Sequence, residues 1–178
     1  KHYSNLVVTN KESLDNKFLA KNNQTWLNGL KYLLVKKISN KFKNKDKKKN
    51  LNVLLHAGAS SSFKAIKNLA ARTIIASLKY NFNLTILCTN ISSKNYMLNL
   101  ITKIKIFKKI RFINYTPNLI KNLRDYHIVV GPAGTTTFEA IQLGILSFTC
   151  ALKNDGRDDE VTWHTAGHLM HLNEKEKN

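Results

Sequence analysis

The amino-acid sequence predicts an α/β fold, a Rossmann-like parallel sheet with helices on both faces. Short apolar runs rich in β-branched residues recur along the chain, and longer stretches of helical periodicity separate them. This alternation is typical of a parallel sheet, because parallel neighbours need a crossover connection between them. The chain has 178 residues, of which 43% are hydrophobic, and this suffices for the core of one ordinary domain.

Six runs are predicted to be the strands of one sheet: NLVVTN around Leu6, NVLLHAG from Asn52, NLTILC from Asn83, IRFINY from Ile110, HIVVG from His127 and ILSFTC from Ile145. After the second run, SSSFKAIKNLAARTIIASLKY has helical periodicity, and its apolar face contains Phe63, Ile66, Leu69, Ala70 and Ile74. The stretch TPNLIKNLRDY begins with a threonine and a proline, which favour a helix start. A short strand is predicted in HLMHL, whereas NNQTWLNGLKYLLVKKISNKF is too irregular to predict one element.

Charge and composition restrict the partners and the location. Lys and Arg number 29 against 11 Asp and Glu, a formal net charge of +18, so an anionic partner is considered. Aromatic residues are not interleaved with the basic ones, and specific nucleic-acid binding is therefore not predicted. No apolar run approaches the roughly 20 residues of a membrane span, and no signal peptide is visible. Cys88 and Cys150 are predicted to be buried free thiols, and the expected location is cytoplasmic.

Three histidines near the C-terminus are candidates for metal ligands. His164, His168 and His171 have spacings that would share a helical face, and three histidines can bind zinc. Gly167 interrupts such a helix, so no metal site is predicted. No cofactor is predicted either.

The stretch VVGPAGTTTFEAIQLG, from Val129 to Gly144, is the strongest candidate for a site. Its glycines allow a tight turn after a strand, and Thr135 or its neighbours could cap the helix that follows. Amides at the start of a helix bind phosphate, and a carboxylate at Glu139 could accept two hydrogen bonds from a ribose diol. The pattern therefore predicts a nucleotide. Such turns are also common in α/β domains, where a glutamate complements the helix dipole without any ligand.

The same stretch resembles a family signature. GPAGTTTFEAIQLGILSFTCAL is similar to the Gly-Gly-Ser/Thr-Thr-x-x-Glu-x-x-x-x-Gly-x-Pro signature in the C-terminal domain of GT-B fold nucleotide-sugar enzymes. Three other segments resemble the UDP-sugar hydrolase family of pseudaminic acid biosynthesis: WLNGLKYLLVKKISNKF, NVLLHAGASSSFKAIKNL and NDGRDDEVTWHTAGHLMHL. The resemblance implies the UDP-sugar-binding half of a hydrolase that releases UDP from a 2,4-diacetamido sugar. Residues 1–50 would form a linker segment and basic loop, and residues 51–178 a Rossmann-like nucleotide-binding domain.

The resemblance also assigns roles to individual residues. It implies that the diphosphate is bound by Gly134, Thr135 and Thr136, the ribose by Glu139, the uracil by the backbone near Phe112 and Ile113, and the phosphate or sugar by Gly58 and Ser60. The chain departs from the family at His56, where small residues are usual, and at Pro132, which lacks an amide proton.

Catalysis is not assigned to any residue of this chain. The family's N-terminal domain, which carries the catalytic histidine, has no counterpart in the sequence, which begins at Lys1 without a methionine. We expect the chain to be a piece of a longer protein, with the missing N-terminal domain as its partner. Two alternatives stay open: a GT-B glycosyltransferase, and a free-standing nucleotide-sugar-binding module without catalysis.

Overall fold

The structure, a computed structural model, describes residues 6–9, 25–28, 50–58, 63–104, 110–116, 119–150 and 170–171. Within these ranges the chain forms strands and helices in the following order: β1 (Leu6–Thr9), β2 (Thr25–Asn28), β3 (Asn52–His56), α1 (Lys67–Lys79), β4 (Asn83–Cys88), α2 (Ile91–Lys103), β5 (Arg111–Asn114), α3 (Leu119–Leu123), β6 (Ile128–Gly131), α4 (Thr135–Gln142), β7 (Leu146–Thr149) and β8 (Met170–His171).

The main sheet is parallel throughout, with the strand order β5-β4-β3-β6-β7-β8. Numbered from its own first strand, this is the order 3-2-1-4-5-6 of Rossmann folds. The predicted α/β class and the parallel sheet are therefore confirmed.

The first predicted strand belongs to a different sheet. β1 pairs in parallel with β2, from Leu6 opposite Thr25 to Thr9 opposite Asn28. The prediction that this run completes a sheet of six was therefore wrong, and the sixth position is taken by β8. β8 lies within HLMHL, where a short strand is predicted. Hydrophobic periodicity identifies a strand but not its neighbour, because parallel pairing is non-local.

Helices cover both faces of the main sheet. The core beneath α1 and α2 contains the whole apolar face predicted for the first helix: Phe63, Ile66, Leu69, Ala70 and Ile74. The core beneath α3 and α4 combines Leu123 and Ala140 from those helices with Leu54 and Val129 from β3 and β6. β3 and β6 are buried on both sides, which explains why their sequences read as nearly continuous apolar runs.

The helices start in different ways. α2 follows Asn90, whose side chain accepts a 2.8 Å hydrogen bond from the amide of Ser93. α3 follows Thr116, whose carbonyl accepts a bond from the amide of Leu119. α4 has no side-chain cap, and its N-cap residue is Gly134. The expectation that Thr135 or a neighbour caps this helix was therefore wrong.

The described residues include both cysteines and all the helices that could be tested for a membrane span. Cys88 and Cys150 are buried free thiols, as predicted. Burial raises the pKa of the Cys88 thiol, although the nearby Lys94 opposes this shift, so the group stays protonated at neutral pH. Among the helices in the described ranges, none is both long enough and apolar enough to cross a bilayer.

Candidate functional site

Two loops lie at the carboxyl edge of the main sheet, where the strand order reverses. β3 and β6 are neighbours, but the chain continues from β3 to β4 on one side and from β6 to β7 on the other. Connections that leave in opposite directions open a crevice between the strand ends, and open parallel sheets bind ligands there. The loop after β3 begins with Ala57 and Gly58, and the loop after β6 runs from Pro132 to Gly134.

The two loops approach each other at Gly58. This residue has φ of +76°, in the left-handed region that favours glycine. A Cβ atom placed on Gly58 would lie 3.2 Å from Cγ of Pro132. The first predicted loop and the predicted phosphate turn are therefore adjacent.

The start of α4 is free of close neighbours within the described part of the chain. Gly134 is fully extended, with φ of −179° and ψ of −173°. A Cβ atom placed on it would meet no atom of the described residues within 4 Å. The first amides of a helix have no acceptor within the helix, and the helix dipole favours an anion beside them. Gly134, Thr135 and Thr136 thus lie at a helix start that an anionic group can approach.

Glu139 lies one helical turn into α4 and is half-buried. Thr135 and Thr136 precede it by four and three positions, so the three side chains share one face of the helix. The rise along the axis from Thr135 to Glu139 is about 6 Å. A carboxylate at that distance is within reach of a sugar whose phosphate lies at the helix start.

A buried histidine connects the two loops. His56, the last residue of β3, is 1% exposed. Its Nδ1 accepts a hydrogen bond of 3.2 Å from the amide of Gly58. Its Nε2 lies 3.2 Å from Oγ1 of Thr137, and that hydroxyl donates a 2.9 Å bond to the carbonyl of Pro132. The ring therefore bonds both to its own loop and to the first turn of α4.

These bonds fix which ring nitrogen carries the proton. The single hydroxyl proton of Thr137 is donated to Pro132, so its oxygen can only accept from His56. Nε2 therefore carries the proton and donates it, while Nδ1 accepts from Gly58. A cationic ring would direct a second N–H at the Gly58 amide, which is itself a donor.

Burial keeps the ring neutral. Desolvation lowers the pKa of His56 from 6.5 to about 4, because apolar surroundings disfavour the imidazolium ion. At neutral pH the histidine is a hydrogen-bonding bridge without charge.

The last residue of β6 must be glycine if His56 is to occupy this position. A Cβ atom placed on Gly131 would lie 2.4 Å from the His56 carbonyl oxygen and 2.6 Å from two atoms of its ring. The glycine that the sequence offers for a tight turn therefore also makes room for an imidazole from the neighbouring strand.

A polar group without a partner lies on the same edge. Thr149 ends β7, opposite Gly131 in register, and is completely buried. Its hydroxyl is the one buried side-chain polar atom without a hydrogen bond in the described part of the chain. Neighbouring residues in register share a sheet face, so Thr149 lies on the face covered by α4.

The remaining predicted site residues lie within β5 or outside the described residues. Phe112 and Ile113 lie within β5, opposite Ile86 and Leu87 of β4, and not in the loop after it. Phe112 packs against one core and Ile113 against the other. Their contact with a base stays a prediction, and Ser60 lies outside the described residues.

The histidines considered for zinc are also largely outside those ranges. His164 and His168 are not described, and no group of three metal-ligating residues occurs among the residues that are.

A cavity of about 680 Å³ lies elsewhere, beside β4, β5 and α3. Its lining includes Asn52, Asn83 and Arg111 at the amino ends of three strands, and Thr116 after β5. Of the predicted site residues it contains Ile113 alone. This cavity therefore does not coincide with the carboxyl edge between β3 and β6, where the strand order alone indicates a crevice.

Sequence reasoning found the glycine-threonine turn but gave no role to His56 and Thr137. The available signal was a histidine at the end of an apolar strand run, directly before a glycine-containing loop. Compared with known proteins, the chain matches no protein-family model, no curated protein and no solved structure.

Proposed function

We propose that this chain binds a nucleotide-sugar in the crevice between β3 and β6, with the diphosphate at the start of α4 and the ribose at Glu139. One observation carries the proposal: α4 begins at an extended Gly134 without a side-chain cap, and a Cβ placed there meets no atom of the described residues within 4 Å. The strand order places this helix start at the position where Rossmann folds bind nucleotides. Glu139, one turn further, supplies the acceptor for a diol.

The finer proposal is a UDP-sugar hydrolase of GT-B fold, in which this chain is the nucleotide-binding half. It rests on the resemblance of GPAGTTTFEAIQLG to the nucleotide-sugar signature. In that reaction water attacks the anomeric carbon, the bond from that carbon to the phosphate oxygen breaks, and UDP leaves with the electron pair. The amides and dipole at the start of α4 would stabilise the charge that the leaving phosphate gains. The groups that activate water would come from a partner domain.

Calorimetric titration with UDP at two salt concentrations tests the site. We expect Glu139→Gln to weaken binding about tenfold, because hydrogen bonds to a charged acceptor contribute roughly 1.5–3 kcal/mol. Asp125→Asn is the matched control, since Asp125 is an exposed carboxylate before β6 and outside the crevice. It removes the same charge from the chain and should leave the affinity unchanged.

A second ligand shows whether Glu139 recognises the ribose. With 2′-deoxy-UDP, one of the two diol bonds is lost, so wild type should bind more weakly and the Glu139→Gln effect should shrink. Binding that is indifferent to Glu139 and disappears at high salt would reject the proposal, because lysines alone would then explain the attraction of anions.

A further inference from the structure

We infer that His56 is a positioning residue of the proposed phosphate site: its ring fixes the first turn of α4 against the loop after β3. The inference rests on the proposed function, since it concerns how the same helix start is held ready for a ligand. The sequences of the two regions do not suggest the contact, which joins residues 81 positions apart.

His56, from which this contact is made, is held rigidly in the sheet. His56 ends β3, which is hydrogen-bonded on both sides, to β4 and to β6. A side chain that projects from a strand in the middle of a sheet has little freedom to move, especially when it is 1% exposed. His56 is therefore a fixed point from which a more mobile element can be oriented.

The element that needs orienting is the first turn of α4. It follows a loop bounded by Gly131 and Gly134, and its N-cap residue has no side chain with which to hold it. Thr137 lies in this turn, and its hydroxyl bonds to Pro132 in the preceding loop and to His56 across the crevice. The two bonds determine where the amides of Thr135 and Thr136 point.

The ring acts without touching the ligand. Both of its nitrogens are engaged within the protein, one by Gly58 and one by Thr137. Because the Gly58 amide is already bonded to His56, we place phosphate recognition on the α4 side of the crevice. His56 thus raises affinity by holding the site in its binding geometry beforehand, which reduces the ordering needed when the ligand arrives.

Two substitutions of Thr137 separate positioning from packing. Thr137→Val keeps the shape but removes the hydroxyl, and Thr137→Ser keeps the hydroxyl but removes the methyl group. We expect Thr137→Val to weaken UDP binding on the order of tenfold, because small displacements of positioned groups have large effects. Thr137→Ser should stay within about twofold of wild type for the same reason. Both are compared at temperatures below their unfolding transitions.

The outcomes distinguish the inference from the function it rests on. A folded Thr137→Val protein that binds UDP like wild type would overturn the positioning role and leave the nucleotide site standing. Equal losses in Thr137→Val and Thr137→Ser would also overturn it, because the hydroxyl would then not matter. If wild type does not bind UDP, the proposed function fails and this inference fails with it.

Nuclear magnetic resonance gives a second measurement if Thr137→Val does not fold. In the wild-type protein, UDP binding should slow hydrogen exchange of the His56 Nε2 proton and of the Gly58 amide. The Gly58 amide is bonded to His56 and the His56 ring is buried, so slower exchange of both would report the tightened connection between the two loops. Unchanged exchange in a protein saturated with UDP would overturn the inference.

Discussion

The two ends of the main sheet both contain a histidine whose Nδ1 accepts a backbone amide proton. At the carboxyl end this is His56, which accepts from Gly58. At the amino end it is His127, directly before β6, which accepts a 3.0 Å bond from the amide of Asn52. His56 is almost completely buried, whereas His127 is half-buried.

The hydrogen bonds around the two histidines join different parts of the fold. At the amino end, the side chain of Asn52 donates to the carbonyl of Asp125 and accepts from the amide group of Asn83, each at 3.0 Å. These bonds join the starts of β3 and β4 to the residues that lead into β6. At the carboxyl end, a similar connection stands beside a helix start that has no side-chain cap. The bonded groups of the amino end lie beside the cavity of about 680 Å³, whereas the histidine of the carboxyl end lies beside the first turn of α4.

At the carboxyl end, Gly131→Ala should cause the largest loss in the free energy of unfolding. Its new Cβ would lie 2.4 Å from the backbone oxygen of His56, so either β3 or β6 would have to shift. We expect a loss of at least about 4 kcal/mol in the free energy of unfolding, or failure to fold. Urea denaturation measures it, and a loss below about 1 kcal/mol, the ordinary effect of a point mutation, would contradict the geometry.

Lowering the pH should reduce the free energy of unfolding through His56, at the same end of the sheet. Its pKa is 6.5 when unfolded and about 4 when folded, so between these values the unfolded chain binds more protons. The stabilisation is complete above pH 6.5, declines as the pH falls towards 4, and amounts to about 3 kcal/mol. Urea denaturation across that window should show the slope in wild type.

Two histidine variants show which residue causes this pH dependence of the free energy of unfolding. The pH dependence that arises from His56 should be absent in His56→Gln and should remain in His127→Gln. An equal slope in wild type and His56→Gln would show that the ring is not buried in neutral form.

A smaller effect is expected at the amino end. Asn52→Ala removes the exposed side-chain bonds to Asp125 and Asn83, which should lower the free energy of unfolding by about 1 kcal/mol. UDP affinity should not change, because the crevice lies at the opposite end of the strand. A marked fall in affinity would mean that the two ends are coupled, contrary to the comparison.

The smallest effect on stability should come from Gly134→Ala. The extended backbone of Gly134 suits any residue, and the added methyl group meets no atom of the described residues within 4 Å, so the free energy of unfolding should change by less than about 0.5 kcal/mol. The methyl group would nevertheless occupy the space proposed for the phosphate. UDP titration should therefore show weaker binding in a protein of normal stability, and unchanged affinity would place the phosphate elsewhere.

Part of the site was predictable because its residues are adjacent in sequence. Gly134, Thr135, Thr136 and Glu139 fall within one turn-and-helix pattern, and the structure places them together at the carboxyl end of β6. The role of Thr137 was not predictable, because its hydroxyl could equally have capped the helix or faced solvent. Its partner lies 81 residues away in the chain.

The sequence by itself determined the class of fold and most of the local elements, although β2 and α2 were not predicted. Apolar runs defined the other strands, and periodicity predicted α1 together with the buried positions from Phe63 to Ile74, of which Phe63 and Ile66 lie just before the helix. Only the tertiary structure decided that β1 pairs with β2, that β8 completes the main sheet, and that His56 meets Thr137 beside Gly131. The reason is physical: periodicity records which side of an element is buried, whereas strand neighbours and buried polar contacts depend on pairings between distant parts of the chain.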